Sequence, residues 1–167
     1  PDQQRTAAQL RELRMARLAH RQWGQIAARQ LRALGFSRDA VRRRVQKGSL
    51  RPRFPGVYSV GAAPVSKHAR WAAAVLACGP GAVLSHRDAA ALWGLLDLIQ
   101  HVVHVTVQGP ARAGPDGIRR HGARSLTDTD RAIHDGIPFT SVARTLLDLA
   151  AVLPPKLVQR AYEEAAG

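Results

Sequence analysis

Three consecutive arginines, Arg42, Arg43 and Arg44, form the densest group of anion-binding side chains in this chain. A guanidinium group donates paired hydrogen bonds to a phosphate, or to the O6 and N7 edge of guanine. The triplet lies within residues 35–48, between two glycines and shortly after Ser37, a favourable N-cap residue. These features predict a short basic helix that binds a polyanion, and duplex DNA is the leading hypothesis.

The spacing within this helix separates an apolar side from a basic side. Val41 and Val45 lie four residues apart and form one narrow apolar stripe. At about 100° per residue, the opposite side holds Asp39, Arg43, Gln46 and Lys47. We expect Arg43 to bind a guanine edge in the major groove, and Gln46 is suited to adenine.

Most other cations near the helix are expected to hold the phosphate backbone, which sets the register of a protein on DNA. They are Arg38, Arg42, Arg44 and Lys47 in the helix, and Arg51 and Arg53 in the following hairpin, which could also reach the minor groove. Asp39 has three open roles: it reads cytosine, caps the helix or pairs with Arg43. The alternative for the whole arginine cluster is a solvated helix face.

The distribution of charge supports a nucleic-acid partner. Residues 1–60 hold 14 Lys/Arg against 3 Asp/Glu, whereas residues 61–167 hold 11 against 9. Positive charge confined to one segment is typical of a surface that meets a polyanion. RNA is the alternative partner, although sequence-specific RNA modules use stacking aromatics. Phe54 and Tyr58 are the only aromatic residues suitably placed.

Catalytic and metal-binding patterns are weak elsewhere in the chain. Ser85, His86 and Asp88 are the residue types of a hydrolase triad. Residues so close together at the start of one helix cannot adopt triad geometry, however. We expect Ser85 to cap a helix, with Asp88 in a capping-box position. His101 and His104 point to opposite sides of a strand. The other five histidines are scattered, so we expect no metal site, no cofactor and no enzymatic activity.

Arg144, in the last third of the chain, has two open interpretations. It either contacts a partner or pairs with Asp148, four residues further along the same predicted helix.

The elements that must position these side chains indicate an α+β protein with an N-terminal winged helix-turn-helix and a mixed α+β domain. The winged domain is predicted from four successive elements: a helix at residues 25–34, a turn at Gly35, the basic helix, and a hairpin with a Pro55-Gly56 turn. We expect a basic helix in residues 1–22, the winged helix-turn-helix in 23–64 and the mixed domain in 65–167.

No apolar run is long enough to span a membrane, and Cys78, the only cysteine, excludes an internal disulfide. A cytoplasmic protein is expected.

Four stretches, in this order, resemble the AbiEi-type family of abortive-infection antitoxins, in its actinobacterial style. They are residues 53–61 (RFPGVYSVG), 81–95 (GAVLSHRDAAALWGL), 104–107 (HVTV) and 136–150 (GIPFTSVARTLLDLA). Arg144 belongs to the Ser-x-x-Arg-Thr-Leu motif of the last stretch. The order of the stretches carries the resemblance, because each alone consists mostly of packing and capping residues.

The resemblance implies a DNA-binding antitoxin of a type IV toxin–antitoxin pair that represses its own operon. It further implies that the second domain opposes a nucleotidyltransferase-like toxin without a tight complex. A homodimer is expected if the operator is two-fold symmetric. The alternative is the DNA-targeting front end of a larger endonuclease-like protein, because longer relatives carry such a C-terminal domain.

Overall fold

The computed structural model of the protein describes residues 2–63, 65–98 and 101–167. In these residues the fold is mixed α+β, with seven α-helices and two β-sheets. The chain divides into two compact units, Pro1–Ala77 (unit 1) and Cys78–Gly167 (unit 2). Within the described residues, no helix combines the length and the apolar character that crossing a membrane requires.

Unit 1 contains four helices and a three-stranded sheet. In chain order they are α1 (Asp2–Arg21), β1 (Gln25–Ala27), α2 (Ala28–Ala33), α3 (Arg38–Gln46), β2 (Leu50–Phe54), β3 (Val57–Val60) and α4 (Lys67–Ala77). The strand order is β1-β3-β2, and both pairings are antiparallel. The basic helix and the hairpin are therefore present where the sequence predicts them.

The start of the second helix differs from its prediction. Residues 25–27 form β1 and pair with β3, so that α2 begins only at Ala28. All three residues of β1 are buried. The chain turns sharply just before β1, because Trp23 and Gly24 both have positive φ angles, of 57° and 78°. Strand pairing and burial thus override the helical spacing of the apolar residues.

The core of unit 1 joins α1, the helix pair and the sheet. Its buried members are Met15, Ile26, Leu31, Phe36 and Leu50. A second cluster contains Ala27, Val57, Ala73 and Leu76, and so links α4 to β1 and β3. For this reason α4 belongs to unit 1, and the unit ends later than residue 64, where composition places a boundary. Pro64 itself lies outside the described residues.

Among its described residues, unit 2 contains a five-stranded mixed sheet, three α-helices and a short 3-10 helix at Asp128–Asp130. Its elements are β4 (Val83–Leu84), α5 (His86–Trp93), β5 (Val103–Gln108), β6 (Ile118–Ala123), β7 (Arg131–His134), β8 (Ile137–Thr140), α6 (Val142–Ala150) and α7 (Pro155–Ala166). The strand order is β6-β5-β4-β8-β7. The β5–β6 and β4–β8 pairs are parallel, and the β4–β5 and β7–β8 pairs are antiparallel. The residue pattern around Ile137–Thr140 does not predict β8.

The cap of α5 also departs from its prediction. Ser85 occupies the N-cap position, but its side chain makes no capping hydrogen bond. Its hydroxyl instead accepts a hydrogen bond of 2.7 Å from Thr106 Oγ1 on β5. Asp88 Oδ2 accepts from the backbone N–H of His104, at 2.7 Å. These two polar side chains thus connect α5 to β5, because both are buried and need partners there.

Candidate nucleic-acid interface

Local sequence signals determine where α3 begins. The backbone N–H of Ala40 donates to Ser37 Oγ at 3.1 Å, so the predicted N-cap is present. Gly35 has φ +89°, a conformation that glycine adopts without the steric cost of a Cβ atom. The chain can therefore turn between α2 and α3 within four residues.

Two valines attach α3 to unit 1, as their spacing predicts. Val41 and Val45 pack against the core cluster around Phe36 and Leu50. Both valines are only half-buried, and no residue of α3 is fully buried. The helix therefore lies on the surface of the unit, with one side against the core.

The side of α3 opposite the valines is open to solvent. Its exposed residues are Asp39, Arg43, Gln46 and Lys47. Arg38 and Arg42 are also exposed. Asp39 makes its ion pair with Arg42, 3.8 Å away between Oδ1 and Nη1, rather than with Arg43. Because more than 70% of both side chains is exposed, this pair is weak and leaves Arg42 accessible.

Arg44 differs from its two neighbours because it turns back onto the protein. Its guanidinium forms an ion pair with Glu12 of α1 and lies over the ring of Phe36, 4.7 Å from the centroid. Arg11 approaches the same ring and donates to the carbonyl of Gly35 at 3.3 Å. These contacts tie α1 to the turn before α3 and to α3 itself, so Arg44 stabilises the position of the helix.

The hairpin supplies two further exposed cations next to α3. Arg51 and Arg53 lie on β2, an edge strand of the sheet. Pro52 lies between them, and an edge strand tolerates proline because one side of its backbone lacks a ladder partner. An open groove of about 680 Å³ lies between α3 and the hairpin, and Arg38, Arg42 and Arg53 are among its lining residues. The two elements thus present cations to a shared groove.

Comparison with known families adds to this geometry. Residues 13–61 match the family model described as a transcriptional regulator, AbiEi antitoxin. This match confirms the predicted resemblance to the AbiEi-type family. No curated protein matches the chain.

The AbiEi match covers the end of α1, β1, the α2–α3 pair and the hairpin. Of the four resembling stretches, it includes residues 53–61, and the other three lie outside it. That family is described as one of transcriptional regulators.

Arg144, the remaining candidate outside the AbiEi match, is engaged within unit 2. Its Nε donates to Asp148 Oδ1 at 2.9 Å, and its Nη1 lies 3.8 Å from Asp130 Oδ2. Burial raises the pKa of Asp148, while the bond to Arg144 acts in the opposite direction. Of the two open interpretations, the structure contains the pair with Asp148.

The histidines that look scattered in the sequence form a cluster in unit 2. One ring nitrogen from each of His86, His104 and His121 lies within 4.8 Å of the others. The sequence gives little indication of this cluster, because the three histidines are 18 and 17 positions apart. Only the parallel pairing of β5 with β6 brings His104 and His121 together. His101, by contrast, is exposed and lies before β5, which begins only at Val103, so the predicted alternation with His104 along one strand does not apply.

Proposed function

We propose that this chain is a cytoplasmic, DNA-binding transcriptional regulator of the AbiEi type, and that unit 1 is a winged helix-turn-helix. The element order supports the proposal: α1, β1, α2, a four-residue turn, α3 and then the β2–β3 hairpin as the wing. In such domains the second helix of the helix-turn-helix enters the major groove. That helix is α3.

The observation that carries the proposal is the solvent-open basic side of α3. Arg43 and Lys47 project from it while Val41 and Val45 hold the opposite side against the core. Guanidinium groups held this way by a helix can reach base edges in a groove of about 12 Å. We assign the base contact to Arg43, with Gln46 as its neighbour.

The backbone contacts are assigned to the other exposed cations. They are Arg38, Arg42 and Lys47 from the helix and Arg51 and Arg53 from the wing. Arg44 is left out of the proposed contact set, because its guanidinium already binds Glu12 and covers Phe36. Its role is to hold α3 in place.

RNA is the less favoured partner for this surface. Single-stranded RNA is read largely by bases stacked on exposed aromatic rings. Phe54 and Tyr58, the aromatic residues of the hairpin, are half-buried, and both pack against the core clusters of unit 1. A surface dominated by arginines and poor in exposed rings fits a duplex better.

The test first uses the full chain to select the sequences that it binds from a pool of random duplexes. Fluorescence anisotropy then measures the affinity of the chain for the selected duplex. The proposed homodimer neutralises ten phosphates, five with each chain, so affinity falls by about 10³-fold or more between 50 and 200 mM salt. Arg43→Ala relaxes sequence preference and changes the salt slope little. Arg42→Ala weakens binding to all duplexes alike. A flat salt response, or tighter binding to single-stranded RNA than to duplex, contradicts the proposal.

The antitoxin role is the second part of the proposal, supported by the description of the matched family. We expect the chain to repress its own operon, as a homodimer on a two-fold operator, and to relieve inhibition by a nucleotidyltransferase-like toxin. Co-expression with a toxin from a neighbouring reading frame tests this role. Unrelieved growth arrest in the presence of folded protein contradicts it.

A further inference from the structure

We propose that His86, His104 and His121 of unit 2 form a binding site for a divalent transition metal, with zinc the expected ion. The ligands come from the start of α5, from β5 and from β6. Three imidazoles without a thiolate or carboxylate form a ligand set that zinc accepts in sites with a fourth, open position. Neither the AbiEi match nor the DNA-binding proposal involves these residues.

The distances within the cluster are close to those of a coordination sphere. His104 Nδ1 lies 3.0 Å from His121 Nε2. Two nitrogens bound to tetrahedral zinc at about 2.0–2.1 Å are separated by roughly 3.3 Å. The third ligand atom, from His86, lies within 4.8 Å of the other two. A rotation of the stacked His86 ring, 3.7 Å from the ring of His121, is the remaining adjustment.

The backbone holds the three side chains on one side of the sheet. Thr106 is the register partner of His121 in the parallel β5–β6 pair. His104 lies two residues before Thr106 and therefore points to the same side. The Ser85 N–H donates to the carbonyl of His104 at 3.0 Å, which brings His86 to the same place. The cluster thus depends on sheet register and not on flexible loops.

A second group of polar residues orients the proposed ligands. Ser85 Oγ lies 2.8 Å from His86 Nδ1 and accepts from Thr106 Oγ1. In the tautomer with the proton on Nδ1, His86 donates to Ser85 Oγ, and Nε2 is the nitrogen that we assign to the metal. Metal-bound histidines in proteins characteristically use their second nitrogen in this way. Asp88 also holds the backbone of His104 through a 2.7 Å bond.

His86 itself has an unusual backbone conformation. Its φ angle is +53°, in a region that only a few per cent of non-glycine residues adopt, although histidine is among the residue types found there more often. Residues held in sparsely populated backbone conformations cluster at functional sites. The strained backbone directs the His86 ring toward the other two histidines.

The surroundings of the cluster keep the imidazoles neutral, which is the form that binds metals. Burial and the neighbouring histidines lower the pKa of His86 to about 3. Burial, His121 and the guanidinium of Arg87 lower the pKa of His104 to about 4. Arg87 and Arg119 also place positive charge near His104, and an anionic fourth ligand such as hydroxide would offset the charge that these arginines add to that of the metal.

The test uses the untagged full chain, stripped with a chelator and titrated with Zn²⁺ by isothermal calorimetry. We expect one ion per chain. His121→Gln is expected to weaken binding by at least about 100-fold, and Ser85→Ala, which removes an orienting group, by about 10-fold. His134→Gln, which replaces an exposed histidine of the same unit, serves as the matched control and leaves affinity unchanged.

Co²⁺ provides a readout that does not depend on whether variants fold. In the parent chain we expect the absorption of tetrahedral Co²⁺, and X-ray absorption spectroscopy of the zinc form shows three imidazoles. Fewer than three imidazoles, no stoichiometric uptake, or equal affinity in the parent and folded His121→Gln overturns the proposal. In that case the three histidines are a hydrogen-bonded stack alone.

Discussion

Adjacent arginines in α3 occupy three different environments. Arg42 extends into solvent beside Asp39, Arg43 points away from the core, and Arg44 folds back onto Glu12 and Phe36. The reason is geometric, because successive residues of a helix are rotated by about 100°. Three consecutive arginines therefore have three different roles: Arg43 is the proposed base contact, Arg42 a proposed phosphate contact and Arg44 a structural contact.

Arg44→Ala is expected to lower the free energy of unfolding, by about 1 kcal/mol, because it removes a partly exposed ion pair and a cation–π contact. Urea denaturation measures the change, with Arg42→Ala as the matched control that has little effect on stability. A double-mutant cycle with Glu12→Gln should give a coupling energy of about 0.5 kcal/mol or more. Zero coupling would show that the Arg44–Glu12 contact does not hold α3.

The neutral histidines of unit 2 predict acid lability of the metal-free protein. Unfolded histidines take up protons near pH 6.5, whereas folded His86 and His104 resist protonation down to about pH 3 and 4. The unfolded state thus binds more protons in this window, and the free energy of unfolding decreases as pH falls below 6.5. We expect a loss of at least about 2 kcal/mol by pH 4.

Chemical denaturation at several pH values, in the presence of a chelator, measures this loss. His104→Gln should make the dependence on pH shallower, because one of the shifted groups is gone. His134→Gln, at an exposed position, should leave the slope as in the parent. An identical slope in all three proteins would mean that the cluster does not contribute.

The orientation of α3 depends on elements other than α3 itself. Phe36 closes the turn between α2 and α3, and it is 5% exposed in the core. Strand β1 anchors the start of α2 to the hairpin. The reversal before β1 requires Gly24, where an added Cβ would lie 2.5 Å from the Cβ of Ala63. Strand β1 and the reversal at Gly24 therefore position both the hairpin and the α2–α3 pair.

Gly24→Ala and Gly48→Ala form a matched pair that tests this support. Both glycines have similar positive φ angles, but a Cβ at Gly48 would meet no atom within 4 Å. Gly48→Ala is expected to cost about 1 kcal/mol of stability from backbone strain alone. Gly24→Ala should cost clearly more, because the clash is added to the strain. Thermal unfolding followed by circular dichroism compares the stability of the two variants. Equal losses of stability would mean that the chain before β1 shifts to accept the added Cβ atom at no extra cost.

Over the whole molecule, the charge divides along the boundary between the units. Unit 1 holds 16 Lys/Arg against 3 Asp/Glu, and unit 2 holds 9 of each. The net charge of +13 therefore belongs entirely to unit 1. Long-range attraction of a polyanion is expected to act through this unit.

The charge division predicts which arginines influence DNA affinity. Arg112→Ala and Arg124→Ala, at exposed positions of unit 2, should leave both the affinity and its salt slope unchanged. Arg42→Ala removes a proposed phosphate contact and should reduce the magnitude of the log–log slope by about 1 for each chain bound to the duplex. Anisotropy titrations at several salt concentrations compare the three. A comparable slope change in the unit 2 variants would contradict the assignment of DNA binding to unit 1.

Local features alone determine much of the fold. The basic helix, its Ser37 cap, the hairpin at Pro55-Gly56 and helix α4 all follow from residues within a few positions of one another. The same holds for the exposure of Arg43 and Lys47, because helical spacing places them opposite two valines. Capping, turn formation and amphipathic spacing act over short distances, so a single sequence reveals them.

Tertiary structure alone decided which groups at distant positions meet. Residues 25–27 became a strand because β3 was available as a partner, and Arg44 turned inward because α1 brings Glu12 to it. The three histidines converge because β5 and β6 pair in parallel with a particular register. Such pairings depend on burial and hydrogen bonding across the whole unit, and no spacing along the chain encodes them.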